Sequence, residues 1–399
     1  MAHPPPLSPE CRLVFAAAHT TPDSALIAEL VSTPLNWARV ITLAEQERAT
    51  PTLWRAVERA APGGGSVPTA AIEHLRRSAM VYDFRMLRLG SRLQLTLAEL
   101  ESRGTPVLLL KGAALATTVH RGFTDRPMTD VDMLVRLADV RAARDALIDS
   151  GWPETTDPVL LTLLQDEHHL PHFVDTEPTG LRIELHTMLL PPDQPFALDE
   201  SLVWQSARPA PPPFASALVA DREFLLLHAC LHFAWSHMMH FGAWRTFRDV
   251  SALVRDPAFD WDLFVERARD CKGLTSCYWT LRVAARMTGV VIPERVMRVL
   301  APPTLEPVRR VLERHFITLI APGEAPPCPS IKVARALWLA ALRPRWSGHA
   351  RAGRFDPDHR WEHARGTAST ETFVQRVVRH AGGIRHWWDF AIRTLAPFS

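Results

Sequence analysis

Hydrophobic residues recur at helical spacing over residues 22–60 and again over 69–103. Leu89, Leu93, Leu97 and Leu100, at spacings of four, four and three, would line one face of a helix. Gly104 supplies a stop. The period changes at Thr105. Val107 to Leu110 form a continuous apolar run, as expected of a strand buried on both faces, and a short helix is predicted over 113–120. Residues 129–135 alternate acidic and apolar before turning fully apolar, 137–150 read as a helix closed by Gly151, and 181–188 alternate strictly. Strands and helices taking turns over roughly 90 residues predict an α/β unit. Beyond Asp221, a fitting N-cap, residues 224–235 are apolar on every side, which predicts a buried helix. Proline-rich stretches at 3–9, 61–68, 191–195, 208–213 and 322–330 mark loops. The expected architecture is therefore α/β (α+β). A small mixed-sheet core over 104–213 lies between a helical region over 1–103 and a second one over 214–399.

Composition narrows the class. A chain of 399 residues, 47% hydrophobic and 22% charged, suits a soluble globular protein of two or three domains. A net charge of only +2 argues against an extended nucleic-acid face. Only Lys111, Lys272 and Lys332 among the 45 basic residues are lysines. GC-rich coding explains that bias, and it makes a lysine inside a candidate site stand out. Five cysteines without CxxC spacing indicate neither a disulfide framework nor a zinc finger. The N-terminal MAHPPPLSPE has no basic segment followed by an apolar one, and no apolar run approaches the ~20 residues that span a bilayer. A cytoplasmic protein without a membrane partner is expected.

The candidate chemistry is acidic. Asp130 and Asp132, two apart on a predicted strand, project from one face. Carboxylates held that close repel unless a cation lies between them, and magnesium, or manganese in its place, is the cation that also takes phosphate oxygens. Glu184 shares the polar face of the 181–188 strand with Arg182 and His186. Were the two strands neighbours, it would make a third carboxylate, and three can hold two divalent ions. The structural alternative is a pair of solvated aspartates, with Glu184 paired to an arginine. Lys111-Gly112, opening a predicted helix, could meet phosphate through the ammonium and free backbone N–H groups. Arg126 is a further phosphate candidate or a simple partner for Asp125. His228 and His232, at i and i+4, could join His168, His169, His172 and His186 in a zinc site, although the Glu of HExxH is missing and satisfied core or cleft histidines are the plainer reading.

The segment LLLKGAALATTVHRGFTDRPMTDVDMLV, the later IELHTML, HHLPHFV at 168–174, EFLLLHACLHFAW with FRDVSALV at 223–254, and NWARVITLAEQERATPTLW near the N-terminus, taken together in their order along the chain, resemble the uncharacterised nucleotidyltransferase family of the DNA polymerase beta-like superfamily. The resemblance spans about residues 24–290. It implies a nucleotidyltransferase core in which Asp130, Asp132 and Glu184 are the catalytic and metal-holding carboxylates. It also implies that Lys111-Gly112 is the phosphate-side loop, and His186 would support a metal-bound carboxylate. The substrate would be a nucleoside triphosphate, ATP by expectation, and the acceptor a small molecule, peptide or protein. Where the superfamily commonly has Gly-Ser, this chain has Gly112-Ala113, which removes one phosphate-binding hydroxyl. Two other readings stand beside this one. The first is a non-catalytic nucleotide-binding or scaffold protein in peptide or polysaccharide biosynthesis, and the second is a histidine-based zinc hydrolase.

Overall fold

A computed structural model describes residues 7–63, 65–155, 168–176, 180–192, 194–321 and 331–342. The proline-rich stretch at 322–330 lies outside them, as does the chain beyond 342. Five helices precede the sheet: α1 (Pro9–Ala16), α2 (Ser24–Ser32), α3 (Trp37–Gln46), α4 (Thr50–Ala60) and α5 (Thr69–Ser102). The leucine stripe does in α5 what its spacing predicts, since Leu89, Leu93, Leu97 and Leu100 are all buried. Gly104 then turns the chain at φ +65°.

The sheet is small and mixed. Its strands are β1 (Leu108–Leu109), β2 (Asp130–Leu134), β3 (Phe173–Val174), β4 (Arg182–His186), β5 (Arg208–Pro209) and β6 (Leu218–Val219), in the spatial order β3-β4-β2-β1-β6-β5. β2 runs parallel to β4 and antiparallel to β1, while β6 runs parallel to β1. The apolar run at 107–110 is wholly buried as expected, although only Leu108 and Leu109 enter the ladder. Helices α6 (Lys111–Thr118), α7 (Val140–Asp149) and α8 (Glu200–Ser206) connect the strands.

Seven more helices follow the sheet: α9 (Arg222–Trp235), α10 (Ala243–Val254), α11 (Trp261–Asp270), α12 (Leu274–Thr288), α13 (Glu294–Leu300), α14 (Glu306–Ile320) and α15 (Ile331–Leu342). Asp221 caps α9, accepting a hydrogen bond from the Phe224 backbone N–H at 2.8 Å. Nearly every side chain of α9 is buried, because this helix packs against α6, α10, α11 and α12 at once. One apolar interior runs through all three regions, from Cys11 to Leu342. No described helix is long and apolar enough to cross a membrane.

Candidate active site

The parallel pairing of β2 and β4 sets the site. It places Asp130 opposite Arg182, Asp132 opposite Glu184 and Leu134 opposite His186. Residues two apart on a strand share a face, so Asp130, Asp132, Glu184 and His186 lie on one side of the sheet. Ligand atoms of Asp132, Glu184 and His186 all fall within 4.8 Å of one another. Lys111, which opens α6 at the end of β1, brings its Nζ to 2.6 Å from Asp132 Oδ1. His186 Nε2 lies 2.9 Å from the same oxygen and 3.6 Å from Glu184 Oε2. The other Glu184 oxygen pairs with His172 Nε2 at 2.9 Å. Glu184 is therefore held by histidines, and not by Arg182 as a strand-edge ion pair would have it.

Charge explains how these groups share so small a space. Burial works against the ionised form of Asp132, but the Lys111 ammonium and the hydrogen bond to His186 hold its pKa well below the usual carboxylate range. Burial likewise opposes protonation of Lys111 and of His186, and the neighbouring carboxylates more than offset it, raising both. Lys111 and His186 thus sit against two carboxylates in one small cluster. The donor set of two carboxylates and an imidazole also fits a divalent ion of the magnesium–manganese kind, the nitrogen favouring manganese. Asp130 lines the same cleft one step along β2.

The cleft in front of the carboxylates has a volume of about 230 Å³. Gly112, Leu115, Arg126 and Met128 form one wall of it, and side chains of α9, α10 and the turn between them form the other. A Cβ at Gly112 would rest in ordinary contact with Met128 and Arg126, at 3.5 and 3.6 Å. No side chain caps α6, so its first-turn amides remain available to an anion. Across the cleft, burial and the nearby Lys111 charge push His228 down to about 3, and burial with the nearby Arg245 charge does the same to His237. These imidazoles are neutral. His228 Nε2 and His237 Nδ1 are buried without a hydrogen-bond partner. His228, His232 and His237 instead form a chain of ring contacts at 6.1 and 4.4 Å.

Arg245 is the unneutralised cation of this wall. It is half-buried and has no ion-pair partner among the described residues. Burial and repulsion from Arg126 and Arg48 bring its pKa down to about 10, so it remains charged at neutral pH. Gly242 starts α10 at φ +64°, and a Cβ there would lie 2.9 Å from Arg245 Nη2. Arg126 also lines the cleft, but its fork is bound to Asp249, with Nε to Oδ1 and Nη2 to Oδ2 both at 2.7 Å. The partner expected for it in sequence, Asp125, pairs with Arg248 at 2.6 Å. Local spacing misled here, because α10 delivers Asp249 from more than a hundred residues away.

The histidines divide into two sets. His168, His169 and His172 pack around His186, with ring centroids of 5.2 Å from His168 to His186 and 5.9 Å from His169 to His172. His228, His232 and His237 line the cleft, and the first set does not. Among the described residues only Asp132, Glu184 and His186 converge as metal ligands, so an all-histidine zinc centre is not formed. Arg245, His237, Gly242 and Thr246 escaped the sequence reading. The one signal that touched them was the family-like segment running through α9 and α10.

A family model described as uncharacterised nucleotidyltransferase matches residues 33–289. No curated protein and no solved structure matches the chain. The matched span runs from the N-terminal helices through the whole sheet to the end of α12.

Proposed function

The chain belongs to the uncharacterised nucleotidyltransferase family, and from that premise we propose that it is a metal-dependent enzyme. In this reading it moves a nucleotidyl group from a nucleoside triphosphate, ATP foremost, to an acceptor and releases pyrophosphate. The acceptor would attack the α-phosphate through a hydroxyl, amine or phosphate oxygen. The observation that carries the reading is the register of β2 against β4. It sets Asp132 directly beside Glu184, with Asp130 and His186 on the same face.

Asp130, Asp132 and Glu184 would hold magnesium or manganese, and His186 either orients the carboxylates or takes a coordination position itself. The bound ion would neutralise charge on the leaving pyrophosphate and lower the pKa of the acceptor. The remaining work belongs to positioning and charge. Lys111 would exchange Asp132 for a phosphate oxygen once the carboxylates are otherwise neutralised. Arg245, charged and without a carboxylate of its own, complements the triphosphate from the opposite wall. Arg126 stands in the same cleft as a more distant phosphate-side cation, because Asp249 already occupies its fork.

Two variants test this together. Asp130→Asn with Asp132→Asn keeps shape and removes charge, so calorimetry with ATP and manganese should show affinity falling at least ~10-fold. Glu184→Gln should leave nucleotide bound while pyrophosphate release drops on the order of 10² or more, as when activation of a nucleophile is lost. Unchanged affinity in the double variant rejects the metal assignment. Binding without pyrophosphate release in the wild-type protein would favour the alternative, a nucleotide-binding or scaffold protein. Ala113, which supplies no hydroxyl to a phosphate, is the observation on that side.

A further inference from the structure

A second, larger cleft of about 410 Å³ lies between α4 with the 20–24 turn on one side and the end of α6 with α10 on the other. Five arginines and one carboxylate line it. Thr52, Arg55 and Arg59 fall at i, i+3 and i+7 on α4 and so share a face. Arg248 and Arg255, seven apart on α10 and the residue after it, line it from α10, and Arg121 lines it as well.

Most of this positive charge is uncompensated. The only carboxylate, Asp125, is already taken by Arg248 at 2.6 Å. Arg55 is held by Asp83 and by the Thr124 carbonyl. Arg59, Arg121 and Arg255 have no ion-pair partner among the described residues, and all three are exposed. An independent sign comes from Thr52. Its side chain is only 6% exposed, yet Oγ1 has no hydrogen-bond partner. A buried hydroxyl left unpaired is unfavourable, and this one lies on the face of α4 that lines the cleft.

We infer that this cleft is a second anion site, taking a multiply phosphorylated small molecule through Arg59, Arg121 and Arg255, with Thr52 donating its hydroxyl. Guanidinium forks match phosphate oxygens in pairs, and three of them converging without carboxylates call for more than one phosphate. The site is distinct from the carboxylate cleft, yet the two share a wall. Asp249 Oδ1 accepts from Arg126 Nε at 2.7 Å on the active-site side and lies 2.9 Å from His120 Nε2 on the other. Set apart from the carboxylate cleft by that shared wall, the ligand is assigned the role of an effector.

Inorganic tripolyphosphate in EDTA is the probe, because chelation removes the divalent ion on which phosphate binding at the carboxylates would depend. Calorimetry on the full chain should show saturable binding. Arg59→Ala with Arg255→Ala should weaken it at least ~10-fold, and both positions are exposed enough to leave the fold intact. Asp130→Asn with Asp132→Asn, which test the nucleotide reading, should leave tripolyphosphate affinity within about two-fold. Thr52→Val should weaken binding without lowering the melting temperature, whereas a merely structural hydroxyl would show the reverse. The inference is overturned if tripolyphosphate does not bind or if the arginine double variant binds it as well as wild type. Equal competition by sulfate at the same ionic strength would also overturn it, since that marks diffuse attraction and not a site.

Discussion

Lys111 holds φ +44° where β1 gives way to α6, and its ammonium meets Asp132 at 2.6 Å. An L side chain in that region is unfavourable by about 1–2 kcal/mol, so the fold accepts strain to put this charge there. Lys111→Ala and Lys111→Gly both remove the ammonium, but only glycine relieves the backbone. Chemical denaturation should find the glycine variant more stable by about 1 kcal/mol, the opposite of the usual helical ranking. Both variants should lose affinity for ATP more than for adenosine, because a point charge acts on phosphate; equal losses would leave Lys111 a structural role only. Asp249 makes a second prediction. Burial opposes its ionisation, but the Arg126 charge and the His120 contact hold its pKa below the usual carboxylate range. A group depressed in the folded state contributes stability above its unfolded value of about 3.9 and loses it as pH falls through the folded value. Acid titration of stability should therefore show a slope below about pH 4 that Asp249→Asn lacks, and the variant should be weaker by about 3–5 kcal/mol at neutral pH, where Arg126 is left buried alone. At this scale the sequence made Asp130, Asp132, Glu184 and His186 legible, since spacings of two on a strand fix a shared face before any tertiary structure is known. Arg245 and Asp249 were not legible, because on α10 nothing local distinguishes them from other charged positions.

Gly242 links element geometry to the site. It begins α10 in the left-handed region, and the space a Cβ would take is already held by Arg245 Nη2 at 2.9 Å and His237 Nδ1 at 3.2 Å. Gly242→Ala should therefore lower stability by about 1–2 kcal/mol and also weaken ATP binding several-fold as Arg245 is displaced. Gly104→Ala is the matched control. Its φ is +65° with nothing within 4 Å of the added methyl, so it should lower stability while leaving nucleotide affinity alone. If both variants lost affinity alike, the Arg245 contact would not be what matters at Gly242. The helices were readable from their period, as the leucine stripe of α5 and the all-apolar α9 show. Strands were harder. β3, β5 and β6 are two residues each, too short to print an alternation, and of these only β3 pairs with a longer strand.

Across the whole molecule, the apolar interior is continuous from the first helix to the last described one. Truncation after residue 215 would remove β6 and α9, exposing Leu108 on one side and the α6 surface that α9 covers. The fragment 1–215 should be insoluble on expression, and a soluble product with a single cooperative melting transition would contradict the shared core. Overall charge was legible but uninformative at this scale: a net +2 conceals both a carboxylate cluster and an arginine-lined cleft. Only the fold sorts the two signs to opposite sides of one wall. That wall turns on Asp249, whose Oδ1 is shared by Arg126 and His120 while its Oδ2 is held by Arg126 alone. Linkage makes any influence through it symmetrical. If tripolyphosphate in the arginine cleft changes ATP affinity by some factor, ATP must change tripolyphosphate affinity by the same factor. Couplings of this kind typically run from about five-fold to 150-fold. Titrating each ligand at two fixed levels of the other closes that cycle, and in Asp249→Asn both factors should fall together toward one.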